Sequence, residues 1–236
     1  MSENEVNITI ANRLATAHEK ILIAAEKAQR NDSEVNLMAV SKTKPKEDIL
    51  AAYHAGQRIF GENYAQELAQ KKTELSELKD IEWHFIGPIQ SNKTQIIAQH
   101  ANWVDSVDRI KIAKRLNQHC LELNKHLDIL VQVNISEVDN KSGIMLVNVE
   151  SFIKDLQAFQ QLRVRGLMAI PEPYDDKKVL ISEFNRLNTC FLALKQQYPN
   201  VDTLSLGMTD DMESAILSGS TMIRLGTAIF GPRTNN

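Results

Sequence analysis

Eight short apolar runs recur along the chain with helix-patterned stretches between them, and this alternation restricts the fold more than any other feature. The runs are 36–42 (NLMAVSK), 58–63 (RIFGEN), 82–87 (EWHFIG), 103–107 (WVDSV), 127–134 (LDILVQVN), 163–169 (RVRGLMA), 203–208 (TLSLGM) and 222–227 (MIRLGT). Their apolar character suits parallel strands buried on both faces. Between them, Leu180, Phe184, Leu187, Phe191 and Leu194 fall at spacings of four and three and form one helical stripe. Gly56 and Gly219 lie where a helix would end before a strand, and Pro45 where one would begin after Lys42. Such alternation admits an open doubly wound sheet or a closed (β/α)8 barrel. Eight units in 236 residues match the barrel, so an α/β fold built as a single (β/α)8 TIM barrel is predicted. An opening helix at 8–30, with Leu14, Ala17, Ile21, Ala24 and Ala28 on one face, would cover the barrel floor or side, the alternative being a free amphipathic arm. No linker-like stretch divides the chain, so residues 1–236 are read as one domain.

Composition narrows the partners. Lys and Arg total 27 against 30 Asp and Glu, a formal charge of -3, which offers no positive field to gather nucleic acid or anionic lipid. No apolar run approaches the roughly 18 residues that a membrane span requires, and the first residues, Met1-Ser2-Glu3-Asn4-Glu5, are acidic where a signal peptide would be basic. Cys120 and Cys190 stand alone in helical segments, as reduced thiols would. A cytoplasmic protein is expected, with no nucleic-acid or membrane partner.

In a (β/α)8 barrel the chemistry gathers where the strands run out at their C-terminal ends. Those ends are Lys42, Asn63, Gly87, Ser106, Asn134, Met168, Met208 with Thr209, and Gly226-Thr227. This rim has no obvious pair of carboxylates for glycoside hydrolysis. Asp210 and Asp211 follow the seventh run, where acidic residues favour a helix start. The histidines, His18, His54, His84, His100, His119 and His126, show no metal-ligand spacing, so no metal site is expected. Neither a G-x-G-x-x-G nor a P-loop pattern occurs. Lys42 shares a strand face with Met38 and Val40, and a lysine partly desolvated at the mouth has a lowered pKa and a free amine for attack on a carbonyl. The alternative is that Lys42 or Lys44 reaches solvent or pairs with a rim carboxylate. Gly226-Thr227 offers backbone N–H groups and a hydroxyl, with Ser205 and Thr209 next door, as a barrel phosphate site would. Arg224 shares a strand face with Gly226 and adds a fixed cation. Together these features describe a phosphorylated aldehyde bound through an amine.

Several motifs now stand in order: AVSKTKP (39–45), FGENY (60–64), WHFIGPIQSNK (83–93), RGLMAIP (165–171), LSLGMTDDM (204–212) and GSTMIRLGTAIFG (219–231). By these the chain resembles the pyridoxal phosphate homeostasis protein family, relatives of the alanine racemase N-terminal barrel, over almost its whole length. The resemblance implies a fold type III barrel that binds pyridoxal 5′-phosphate as an aldimine on Lys42, with Arg224 facing the pyridine nitrogen. It also implies that Ser205, Thr209, Gly226 and Thr227 hold the phosphate and that Asn63, His84, Asn134 and Met168 surround the ring. Relatives commonly carry serine at the place of Thr209, which keeps the hydroxyl and adds a methyl group.

Two functions remain open at this point, a carrier that binds the cofactor for intracellular vitamin B6 homeostasis and a pyridoxal phosphate-dependent amino-acid racemase. Racemases of this barrel type resemble two-domain dimers whose second domain contributes a catalytic residue, whereas this chain stops five residues after Gly231. An arginine at the pyridine nitrogen also weakens carbanion stabilisation. The expectation is a non-catalytic, monomeric protein that supplies the cofactor to apo-enzymes, with the racemase as alternative. A sugar-phosphate enzyme acting through a lysine imine is a third reading.

Overall fold

The computed structural model describes residues 3–139, 141–174 and 176–232, so Met1, Ser2 and the final residue Asn236 lie outside the described residues. Strands β1 (Asn36–Val40), β2 (Ile59–Glu62), β3 (Glu82–Phe85), β4 (Trp103–Val107) and β5 (Leu127–Asn134) are followed by the two-residue β6 (Ile144–Met145). β7 (Leu162–Ala169), β8 (Thr203–Ser205) and β9 (Met222–Leu225) complete the set. All pair in parallel, and the ladder closes because β9 pairs with β1 and β4 pairs with β5. Leaving out β6, which lies beside the end of β5, the ring holds the eight strands that the apolar runs predict. β6 was not anticipated, since two residues are too short to carry a period.

The strands stop sooner than the runs. β1 ends at Val40, β2 at Glu62, β3 at Phe85, β8 at Ser205 and β9 at Leu225, so Lys42, Asn63, Gly87, Met208 and Gly226 belong to the loops just beyond. The apolar pattern continues into these loops because they fold over the barrel end and stay partly buried.

Helices α2 (Lys46–His54), α3 (Ala65–Glu74), α4 (Thr94–His100), α5 (Ile110–Glu122), α6 (Val149–Leu156), α7 (Lys177–Gln197), α8 (Met212–Leu217) and the short α9 (Thr227–Phe230) connect the strands. The predicted stripe of α7 is buried: Phe184 and Leu187 are fully inaccessible, and Leu180, Phe191 and Leu194 nearly so. Pro45 is the N-cap of α2, and Gly56 and Gly219 follow α2 and α8 at φ of +99° and +95°, the left-handed conformation that stops a helix. The opening helix α1 (Glu3–Lys27) starts and stops earlier than predicted and packs along the side of the barrel against α2, α8 and α9. Its Leu14, Ala17, Ile21 and Ala24 are buried there, which rules out the free arm.

Strand alternation sorts residues to two sides. Leu37, Ala39, Phe60, Phe85, Val104, Ile223 and Leu225 join the continuous core between strands and helices. The barrel interior holds a small separate cluster of Trp103, Leu130 and Met168 together with buried His84, Asp105 and Arg224. Polar groups therefore occupy positions that branched aliphatic layers fill in a typical barrel of this kind. Among the described residues no helix is long and apolar enough to cross a membrane.

Candidate cofactor site

A cleft of about 240 Å³ opens at the C-terminal ends of the strands, near the roughly 300 Å³ at the small end of ligand pockets. β1 and β9 build its centre. Their register sets Met38 beside Arg224 and Ala39 beside Leu225, so the turn after β1 lies next to the turn after β9. Lys42, half-buried, lines the cleft from the first turn, and Gly226 and Thr227 from the second. Pro45 shapes the Lys42 turn, for its ring holds φ at -69° and favours extended backbone just before it.

Arg224 is only 4% exposed and cannot swing. Its Nη1 donates to Ser205 Oγ at 2.6 Å and its Nη2 to the Ala169 carbonyl at 2.9 Å. Burial pulls its pKa below the usual arginine value, and the charges of Asp105 and Asp211 oppose that pull. Asp211 stands at the N-cap of α8, as an acidic helix start predicts. Its carboxylate, however, accepts from the Met208 N–H at 2.5 Å and so ties the loop carrying Thr209.

Of the residues nominated from sequence, Lys42, Asn63, Met168, Thr209, Arg224, Gly226 and Thr227 line this cleft, while His84, Asn134 and Ser205 do not. Ser205 lies beneath it, fully buried, as the acceptor that fixes Arg224. Asn134 turns its amide to the Val138 carbonyl at 2.9 Å, and its buried Oδ1 has no partner among the described residues. His84 sits deeper in the barrel, its ring stacked on Trp103 at 5.0 Å. Ile86 and Ile170, which sequence reasoning did not nominate, also line the cleft, as do Met208, named there only as a strand end, and Lys44, weighed only beside Lys42. Lys44 reaches across to the carbonyls of Phe230 and Pro232, at 3.3 and 2.9 Å. Its signal was its place two residues after Lys42. Ile86 and Ile170 carry none, because an apolar residue past a strand end looks like any core residue. Among the described residues no group of three or more His, Cys, Asp or Glu is gathered for a metal ion.

The family model for the alanine racemase N-terminal domain matches residues 14–234. The pyridoxal phosphate homeostasis protein of Pasteurella multocida is 49% identical over 229 residues, 96% of this chain and 98% of the relative. The chain belongs to the pyridoxal phosphate homeostasis protein family. The Escherichia coli member is 47% identical over 95% of this chain and 97% of its own length. PipY of Synechococcus elongatus, solved without and with bound PLP, superposes with TM-scores of 0.82 and 0.80 at 36% identity, over 94% of this chain and all of that one.

In this family member the barrel interior carries a titratable group of its own. His84 is fully buried, with Nδ1 3.0 Å from an Asp105 oxygen and Nε2 3.1 Å from Glu82 Oε1. Desolvation disfavours its charged form, yet the two carboxylates outweigh this and raise its pKa to about 9. A folded pKa above the unfolded value near 6.5 gives stability that is complete below pH 6.5 and lost as pH rises through 9. Glu62, pushed up to about 7 by burial, loses stability in the same direction but over a lower window. Urea unfolding between pH 7 and 9.5 is therefore expected to show a loss on the order of 3 kcal/mol, and His84→Gln to flatten that slope. An equal slope in both proteins would count against a charged His84.

Proposed function

We propose that this chain holds pyridoxal 5′-phosphate covalently through Lys42 and supplies it to apo-enzymes in the cytosol, residues 1–236 acting as one cofactor-binding unit without turning over an amino-acid substrate. One observation carries the reading: the Lys42 amine, the buried Arg224 guanidinium and the Gly226-Thr227 turn converge on a single cleft. The donor set suits the group. Gly226 offers a specific test of fit, since a Cβ there would meet only Val40, its carbonyl oxygen at 3.4 Å, which is ordinary contact. The protein's own packing does not demand glycine at this place, and a side chain would fill the cleft instead. When bound, the cofactor supplies an aldehyde carbon and an electron-accepting ring.

Each residue then has a task. Lys42 provides the attaching amine, and Thr227 and Thr209 donate hydroxyls to the phosphate. Arg224 has donors only, two already committed to Ser205 and Ala169, so it can offer the pyridine nitrogen an N–H but never accept its proton. That keeps the ring a weak electron sink. Among the described residues, the titratable side chains lining the cleft are Lys42, Lys44 and Arg224. Lys44 donates to two carbonyls, so no side chain there is set to move a second proton.

The deciding experiment loads the protein, repurifies it and follows two reactions. Activity should return to an apo-enzyme that requires pyridoxal phosphate, while alanine racemisation, read by chiral chromatography, should stay at background. A positioned proton donor typically contributes about 10²- to 10⁴-fold, and that factor should be missing. Robust racemisation that disappears in Lys42→Ala would make the protein a racemase instead.

Within this reading Thr227→Val should weaken cofactor retention more than Thr43→Val, because Thr227 lines the cleft and Thr43 does not. A hydrogen bond to a charged group is worth about 1.5 to 3 kcal/mol, so a loss of about tenfold or more is expected by equilibrium dialysis. Equal dissociation constants would remove Thr227 from the phosphate contacts.

A further inference from the structure

The turn that carries Lys42 is gripped on both flanks by buried and partly buried ionic groups that do not line the cleft. Lys71, on α3, is 5% exposed and commits all three of its N–H donors. Its Nζ lies 2.8 Å from the Ser41 carbonyl, 2.8 Å from Glu62 Oε1 and 2.6 Å from Glu67 Oε1. The Ser41 hydroxyl donates to the same Glu62 oxygen at 2.6 Å. On the other flank the Thr43 N–H donates to Glu67 Oε1 at 2.6 Å. The residue before Lys42 and the residue after it are thus fastened to one network.

Thr43 shows why fastening is needed. Its φ is +62°, a left-handed conformation that a β-branched residue adopts only when its surroundings impose it. Ionic groups are an unusual choice for the purpose, because desolvating them offsets much of their attraction, and apolar packing of the same volume often stabilises a fold as well. Glu62 makes the cost visible: it is fully buried, and its Oε2 has no partner among the described residues. What the network supplies is geometry, directed at the two peptide units around the cleft lysine.

We propose that Lys71 and Glu67 are positioning residues for Lys42, holding the Ser41–Lys42–Thr43 turn in the strained form that presents the Lys42 amine to an aldehyde in the cleft. This rests on the reading of Lys42 as the attaching lysine. In the reaction served, the Lys42 ammonium first gives a proton to solvent. The amine nitrogen then bonds to the aldehyde carbon, its two hydrogens pass to the aldehyde oxygen, and that oxygen leaves as water, with no oxidant or reductant required. Lys71 and Glu67 exchange nothing in that step and act only through the backbone.

The test separates reactivity from binding and from folding. Apo-protein is treated with pyridoxal, which lacks the phosphate, and with borohydride, and the rate of label appearing on Lys42 is read by peptide mass spectrometry. In parallel, affinity is measured for a phosphorylated pyridine analogue without an aldehyde. Glu67→Ala and Lys71→Met should slow labelling at least tenfold while changing analogue affinity less than about twofold, and Lys71→Arg should recover most of the rate. Glu67, the more accessible of the two with its side chain 21% exposed, carries the test should Lys71→Met fail to fold. Unchanged labelling in folded variants overturns the positioning role and leaves the assignment of Lys42 standing. A parallel fall of labelling, analogue affinity and melting temperature overturns it in favour of a merely structural role. Absence of label on Lys42 in the wild-type protein removes both the assignment and the inference that rests on it.

Discussion

Lys42→Ala is expected to abolish the absorption band of the lysine-bound cofactor and the borohydride-trapped label on residue 42, while the far-ultraviolet dichroism and the unfolding midpoint of the cofactor-free protein stay close to wild type. The loss is total because covalent attachment needs an amine at that place. Lys44 lines the same cleft, but its Nζ is turned to the carbonyls of Phe230 and Pro232. The fold should tolerate the change because Lys42 lies beyond β1 in a turn. That turn is held by Ser41 and Thr43 through atoms the substitution leaves in place. Contacts from Thr227, Thr209 and Arg224 should retain some cofactor without the bond, so dialysis of the variant should show weakened binding. A trappable adduct of wild-type yield on another lysine would remove Lys42 from its role.

Gly166→Ala should have the largest effect on stability, on the order of 4 kcal/mol or more, at the far end of what single substitutions cost. Gly166 lies within β7 at a φ of +150°, and a Cβ built on it would stand 1.8 Å from the Thr203 carbonyl oxygen. Neither backbone can yield cheaply. Gly166 pairs with Thr203 across β7 and β8 and with Leu130 across β7 and β5, at the point where the β5–β7 register shifts. Displacing β8 would also move Ser205 and with it the acceptor of Arg224. Chemical denaturation should therefore show the midpoint falling well below wild type, and the variant should lose cofactor as β8 shifts. A fall of less than about 1 kcal/mol would show that the β7–β8 ladder adapts, contrary to this close approach.

The site was partly legible before any coordinates. Lys42 and Thr227 became candidates from residue type and place near a strand end, their roles came only from the family resemblance, and both line the cleft. His84 and Asn134 carry the same kind of signal and lie elsewhere, because the pattern shows that a residue faces the barrel but not how deep it sits. Ser205 was read as a phosphate contact, yet its hydroxyl is engaged by Arg224. The network of Lys71, Glu62 and Glu67 left no trace in the reading, since a lysine and a glutamate four residues apart on a helix usually form a solvated surface pair. Here α3 presses that face against β2 and buries it.

By itself the sequence determined the ring of eight strands, the intervening helices and the presence of a lysine, Lys42, at the mouth. Those features follow from local period and from residue chemistry, which neighbours in the chain already specify. Only the tertiary structure decided where each strand stops, which polar residues share the cleft, and that the Lys42 turn is held by charges more than twenty residues further along the chain. These depend on strand register and helix packing. Both bring together groups whose separation along the chain says nothing about their distance, and burial changes the strength of every charge among them.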